Sequence, residues 1–309
     1  MNAERPGQPI ASWRPGQLIW PHGRTKLLLL GGVGSRTGDA ERAMFPCARF
    51  LAERGGYDPR RDVLELTYAG RAVGDDWQPQ PYGPADTRRP LADTTEAVAS
   101  ALEWYRAALP SDTRFCLIGY SLGGVVALDG ATLAVARDRA GWHGHLPVVI
   151  TLASPLRGTN AGAFVNWAWL VTTDPDPLGA VGPELDARWG SPDEQTRVER
   201  RAAFLRAMGT RVLTLADPDD AVVRPDEALL PAPAESPDDL LVRTERVRPG
   251  SLGHGALLDE PACWRRILAA IGPQESLAGE AGPAAPEDDR IERELRAIKE
   301  RMRAQGRLH

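Results

Sequence analysis

The sequence predicts an α/β fold, a mostly parallel sheet with helices on both faces. Three observations predict it. Short apolar runs alternate with longer helical patterns along most of the 309 residues, the arrangement that builds a parallel sheet with crossover helices. The runs at 26–30 and 146–153 are continuously apolar beyond their first residues rather than alternating, as strands covered on both faces are. The length is sufficient for one large core.

Residues 1–16 are rich in Pro and Gly and read as an N-terminal arm, with a short edge strand at 18–20. Residues 26–30 are too short for a helix with Gly31-Gly32 behind them, so they form a buried strand opening into Gly31-Gly32-Val33-Gly34-Ser35. A helical pattern through Met44, Phe45, Ala48, Phe50 and Leu51 stops at Gly55-Gly56. Residues 63–68 form the next strand, and 70–90 form a long loop. A helix capped by Asp93 or Thr94 presents Ala97, Ala101, Trp104, Tyr105 and Ala108 on one face and ends at Pro110. Strands at 115–118, 146–153, 211–216 and 240–247 follow, with helices from the second glycine turn to about 139, at 192–208 and at 262–271. Residues 154–210 are the least regular part, and 273–286 read as a linker. The tail at 287–309 is highly charged, with Ile291, Leu295, Ile298 and Met302 forming a narrow apolar seam at heptad period. That seam is a candidate surface for self-association or for another partner.

Function is organised around residues 113–128. There a buried strand enters Gly119-Tyr120-Ser121-Leu122-Gly123 and leaves as a helix. G-x-S-x-G between a strand and a helix sets its serine on a sharp, strained elbow. Glycines two positions either side remove the Cβ atoms that would clash as strand and helix close up. A serine hydroxyl is a poor nucleophile at neutral pH, so it needs a base, a group that orients the base, and donors for the developing oxyanion. In such a sheet these follow in the order Ser, acid, His. Of the five histidines, only His254, flanked by Gly253 and Gly255, follows the last strand and precedes a helix. The acid belongs after the strand at 211–216, where Asp217, Asp219 and Asp220 compete. Asp220, which immediately precedes the apolar Ala221-Val222-Val223, is the first candidate, Asp219 the second and Asp217 the third. The oxyanion donors are the backbone N–H groups of Leu122 and Val33.

Composition excludes several alternatives. A formal net charge of −5 provides no basic field for nucleic acid. Three widely spaced cysteines without C-x-x-C point to buried thiols in a reducing compartment rather than to a disulfide or metal site. The opening M-N-A-E-R-P-G-Q-P lacks a charged segment followed by an apolar one, and no run approaches the ~18 apolar residues of a spanning helix. A cytoplasmic location without a transmembrane segment is the expectation. Gly32-x-Gly34-x-x-x-Gly38 loosely echoes a dinucleotide loop, but its spacing departs from G-x-G-x-x-G and no Lys-Ser/Thr follows. No cofactor and no metal are expected.

With these residues assembled, the chain resembles the α/β-hydrolase fold and, within it, the serine esterase and lipase families, over roughly residues 17–272. Four motifs carry the resemblance: L-L-L-L-G-G-V-G-S at 27–35, G-Y-S-L-G-G at 119–124, V-I-T-L-A-S-P-L-R-G-T at 149–159, and the pair D-D-A-V-V-R-P and G-H-G-A-L-L-D-E-P near the end. The D-x-V-V-x-P segment that carries the acid in lipase-like relatives matches Asp220. Gly31-Gly32 stands where relatives have His-Gly. The resemblance implies hydrolysis of carboxylic esters, acyl lipids among them, through an acyl-enzyme on Ser121, His254 and Asp220. It also implies a sheet of about eight strands and a cap at 157–208 whose Phe164, Trp167 and Trp169 cover an acyl pocket. Thioesters and amides yield to the same serine chemistry, and a hydrolase scaffold that acts only by binding is the non-enzymatic alternative.

Overall fold

Strand β1 (Thr25–Leu30) forms where the sequence concentrates four leucines, each at most 2% exposed. Burying each such side chain is worth about 1.5–3 kcal/mol. The computed structural model describes residues 22–73, 76–160, 176–244 and 253–275. Strand β2 (Val63–Glu65) lies parallel to β1 on one side, and β5 (Arg114–Tyr120) lies parallel on the other. Beyond β5 come β6 (Val148–Leu152) and β7 (Arg211–Leu215), again parallel. The order is therefore β2-β1-β5-β6-β7. Because the chain leaves β1 toward β2 and later returns to β1's other side as β5, the connections diverge between these two strands. Open α/β sheets bind ligands in the crevice outside the carboxyl ends at such a point.

Two helix layers cover the sheet. Helices α1 (Asp39–Ala43) and α2 (Phe45–Gly55) follow β1. Helices α3 (Leu91–Ala108), α4 (Leu122–Arg137) and the short α5 (Arg139–Trp142) flank β5. Helices α6 (Val181–Trp189) and α7 (Pro192–Ala207) connect β6 to β7, a single turn α8 (Pro225–Ala228) follows β7, and α9 (Pro261–Ile271) ends the described chain. Helices α3 and α7 pack on α4, whereas α2 packs on α9. Sandwiched between sheet and neighbouring helices, α4 is buried almost throughout its first ten residues. Those ten residues include one charge, Asp129, which is held by Arg188 Nη2 at 2.9 Å and Arg201 Nη1 at 2.8 Å. Those two arginines tie α6 and α7 to α4.

Several expectations are corrected. Among the described residues the sheet has five parallel strands, with a separate two-stranded hairpin beside it in sequence. The hairpin, β3 (Ala69–Val73) with β4 (Asp76–Gln80), occupies the start of the expected 70–90 loop. Its Trp77 indole lies over Gly70, where any Cβ would collide with it. The strand expected at 240–247 is, in its described part, one bridge from Leu241 to Ala216, and residues 245–250 lie outside the described set. Helix α3 begins at Leu91, before Asp93 and Thr94, because Glu184 on α6 accepts the Leu91 amide at 2.6 Å and so replaces a local cap.

The 157–208 segment divides. Residues 161–175, with Phe164, Trp167 and Trp169, lie outside the described residues. Helix α7, started by Ser191 with Pro192 behind it, packs on α4 and β7 as a crossover of the helix layer. The edge strand at 18–20 and the tail with Ile291, Leu295, Ile298 and Met302 also lie outside the described residues. Cys47, Cys116 and Cys263 are buried free thiols, and burial pushes Cys47 and Cys116 up to about 12. No helix among the described residues is long and apolar enough to cross a membrane.

Candidate active site

Ser121 sits between β5 and α4 at φ 55°, ψ −129°. For a residue with a Cβ this conformation costs roughly 1–3 kcal/mol, so the surroundings must impose it. They do so through the Ser121 amide, which donates to Leu152 O at 2.9 Å, and the Ser121 carbonyl, which accepts from Gly124 at 3.0 Å. Glycine is required at two neighbours: a Cβ on Gly119 would enter the Gly123–Gly124 backbone, and one on Gly123 would enter the carbonyls of Leu30 and Gly31. The elbow therefore closes directly onto the turn after β1.

His254 reaches the serine from the far end of the chain. Its Nε2 lies 3.0 Å from Ser121 Oγ, and its Nδ1 lies 2.9 Å from Asp220 Oδ2. All three residues are at most 5% exposed. Gly253 and Gly255 take φ 82° and 89°, and a Cβ on Gly253 would stand 2.8 Å from Asp219 O. The flanking glycines thus let the histidine turn lie against the acid-bearing loop. The Tyr120 ring supports the imidazole, centroids 5.1 Å apart. Burial and then the Asp220 charge push the Tyr120 phenol well above its ordinary value, so it stays neutral.

The three competing aspartates have different partners. Asp220 Oδ1 accepts the amides of Val222 at 2.8 Å and Val223 at 3.1 Å, leaving Oδ2 for His254. Asp217 accepts the Thr244 hydroxyl at 2.5 Å and the Asp219 amide at 3.0 Å. Asp219 is exposed. The segment after Asp220 is also tied to the 149–159 motif, since Glu227 O accepts the Arg157 amide at 2.9 Å and Glu227 Oε2 the Thr159 hydroxyl at 3.3 Å.

Leu122 opens α4, so its N–H is among the first-turn amides that a helix cannot satisfy internally. Val33 stands in the turn after β1, whose Gly32 is so close that a Cβ there would meet Ser121 Cβ at 3.0 Å. Among the described residues neither the Leu122 nor the Val33 amide has an acceptor. Beside Ser121 lies a mostly apolar pocket of about 260 Å3, bounded by Val33, Ala40, Ala43, Met44, Tyr120 and Leu258 among others. Its α1 wall was not legible as a site in the sequence. Glu65, a fully buried carboxylate facing the same turn, was also missed; its one signal is an acid within the otherwise apolar run at 63–66. Among the described residues no cluster of His, Cys, Asp or Glu could hold a metal ion.

No family model matches the chain, and no curated protein matches it. Solved structures similar to it include phospholipase PlaB from Legionella pneumophila, 15% identical, with a TM-score of 0.49 over 67% of this chain and 45% of that one. A lipase-esterase related protein from Clostridium acetobutylicum is 14% identical, TM-score 0.43, over 81% and 96% of the two chains. Est1E from Butyrivibrio proteoclasticus is 15% identical, TM-score 0.44, over 81% and 90%. The chain spans less than half the length of the phospholipase. Likeness of this extent carries no argument about activity, and the fold is read from the chain's own geometry. A parallel sheet with a serine elbow after a central strand, and an acid and a histidine following in that order, is the α/β-hydrolase fold.

Proposed function

We propose that this chain is a serine hydrolase acting on carboxylic esters through an acyl-enzyme. The observation that carries the reading is the buried relay from Ser121 Oγ to His254 Nε2 and from His254 Nδ1 to Asp220, at 3.0 and 2.9 Å, beside an apolar pocket. Ser121 Oγ attacks the ester carbonyl carbon as His254 Nε2 takes its proton. Asp220 holds the imidazole in the tautomer that leaves Nε2 free to accept and stabilises the imidazolium that forms. The amides of Leu122 and Val33 receive the charge that develops on the carbonyl oxygen, where a single donor is worth about 3–4 kcal/mol.

Collapse breaks the bond to the leaving alkoxide, which takes the proton from His254. Water then attacks the acyl carbon with His254 again as base, and the carboxylic acid leaves with Ser121 restored. The wall is mostly apolar and its one charged group is the acid Asp39, so an apolar acyl group is favoured over an anionic one, which would lose hydration without a partner. A scaffold that only binds would have no need to hold Ser121 in a strained conformation.

Intact-mass labelling with a fluorophosphonate tests the reading. One adduct on the wild-type chain, none on Ser121→Ala, and hydrolysis of p-nitrophenyl acyl esters by the wild type alone are expected. A wild-type chain that takes no adduct and turns over no ester, thioester or amide refutes it.

A further inference from the structure

The turn that supplies the Val33 amide is held from behind by a group outside the relay. Glu65 ends β2 beside Leu29 of β1 and is fully buried. Its carboxylate accepts the amide of Gly38, in a very short hydrogen bond, and that of Ala40 at 3.2 Å. Gly38 is the N-cap of α1 and has no side chain to cap it, so a carboxylate from the neighbouring strand takes over the orphaned amides. The third donor is the Tyr82 hydroxyl, 3.0 Å from Oε1. Tyr82 O in turn accepts the Thr37 amide at 3.1 Å, the Tyr82 amide donates to Thr37 Oγ1 at 2.8 Å, and the Tyr82 hydroxyl lies 3.5 Å from Ser35 Oγ, whose hydroxyl donates to Gly32 O at 2.6 Å. Tyr68 adds a bond from its hydroxyl to Gly31 O at 2.6 Å. Both ends of the 31–38 turn thus lead back to Glu65 or to the phenols packed around it.

We propose that Glu65 is a positioning residue for the oxyanion turn: acting through Gly38, Ala40 and Tyr82, its carboxylate holds the Gly32–Val33 backbone against Ser121. The proposal rests on the serine-hydrolase reading of that site. Donor counting gives it a chemical condition. Three hydrogens converge on two oxygens, which an ionised carboxylate accepts without conflict. A proton on the carboxyl fills its remaining lone-pair site and makes one oxygen a donor within a cluster of donors, which weakens the restraint. The groups facing Glu65 are the phenols of Tyr82, Tyr68 and Tyr105 and, from α1, Asp39. Arg42, a cation on α1, is turned to Asp39. No cation pairs with Glu65 among the described residues. Burial accordingly pushes its carboxyl up, against the hydrogen bonds that pull it down, to about 7. The turn therefore changes its restraint within the range in which an esterase is assayed.

Three measurements test this on the full-length protein. In Glu65→Gln, one side-chain amide must face a hydrogen-bond donor, so kcat on a p-nitrophenyl ester should fall roughly ten- to hundredfold, with KM changed less than about threefold. The acid limb of log kcat/KM should also be one proton less steep than in the wild type. Tyr82→Phe, which keeps the carboxylate and removes one donor, should lower kcat by a smaller factor and move that ionisation upward; it carries the kinetic test if Glu65→Gln does not fold. The amide resonances of Gly32 and Val33, followed against pH, should titrate in the wild type and not in Glu65→Gln. A folded Glu65→Gln with wild-type kcat and an unchanged acid limb overturns the proposal, as do Val33 and Gly32 amides that show no titration beyond that seen in Glu65→Gln. A wild-type chain inert to fluorophosphonate whose Val33 amide still titrates with Glu65 would remove the hydrolase reading and leave the restraint on the turn standing.

Discussion

Replacing Asp220 by Asn should disable the relay through the tautomer of His254 while leaving its geometry intact. Asp220 uses both oxygens: Oδ1 accepts the Val222 and Val223 amides at 2.8 and 3.1 Å, and Oδ2 faces His254 Nδ1 at 2.9 Å. In the Asp220→Asn side chain the carbonyl oxygen must serve the two backbone donors, which cannot turn away, and the NH2 group is left facing Nδ1. A donor at that position favours the tautomer with its proton on Nε2, the atom 3.0 Å from Ser121 Oγ. A protonated Nε2 cannot accept the serine proton. In serine hydrolases the wrong tautomer lowers kcat by ~10⁴, which is about 5.5 kcal/mol of transition-state stabilisation. Because the substitution is isosteric and keeps both backbone bonds, the melting temperature should change little. Asp219→Asn, at an exposed side chain, should leave kcat within about twofold, and Asp217→Asn, which disturbs only the Thr244 and Asp219 bonds, within about tenfold. The assay is kcat on a p-nitrophenyl acyl ester for the three variants side by side. An Asp220→Asn enzyme keeping more than a tenth of wild-type kcat, or an Asp219→Asn enzyme falling as far, would refute this reasoning.

Other perturbations follow from the same structure. Gly123→Ala drives a methyl into the carbonyls of Leu30 and Gly31, so it should separate elbow from oxyanion turn and lower kcat at least ~10²-fold, the scale of one lost donor, in a protein that still shows native circular dichroism. At the other end of the sheet, fully buried Lys26 donates from Nζ to Asp62 Oδ1 at 2.7 Å. Asp62→Ala leaves that cation unpaired and should cost about 3–5 kcal/mol in urea unfolding. Burial disfavours the charged Asp62, yet the attraction of Lys26, its hydrogen bond and the Asp58 amide outweigh this and hold the carboxyl below its ordinary value. Its stabilisation is therefore complete above the ordinary carboxylate range and is lost as pH falls through the lower folded value, a component that Asp62→Ala should remove from acid unfolding curves. Glu65 has the opposite sign. Its folded value, raised to about 7, exceeds that of the unfolded chain, so its contribution to stability declines as pH rises from the ordinary carboxylate range to about 7. In Glu65→Gln the difference in melting temperature between about pH 5 and about pH 8 should shrink.

What could be read along the chain is what short-range physics encodes. The apolar runs of β1, β5, β6 and β7 and the glycines around Ser121 each report on their own few residues, and the structure has the strands and the elbow where those residues place them. Helix α7 was legible for the same reason, because Ser191, Pro192 and the acids behind them form a local start signal. The chain order of acid and histidine after later strands was enough to nominate His254 and a group of three aspartates. Helix α6, among Pro-rich turns, and the β3–β4 hairpin, whose polar residues read as loop, were not legible. Helix α6 is tied to a neighbour distant in sequence, Glu184 accepting the Leu91 amide, whereas the hairpin pairs locally, from Ala69 with Gln80 to Val73 with Asp76.

The sequence by itself determined the parallel sheet, the glycine-flanked elbow at Ser121 and the choice of His254 among five histidines. The apolar Ala221-Val222-Val223 ranked Asp220 first of three aspartates, and tertiary structure supplied their partners: Thr244 meets Asp217, solvent meets Asp219 and His254 meets Asp220. Tertiary structure alone brought Glu65 and Tyr82 behind the turn after β1 and set an α1 wall on the pocket. A buried hydrogen bond is specified by two partners, and no window along the chain contains both when they lie 34 or 133 residues apart.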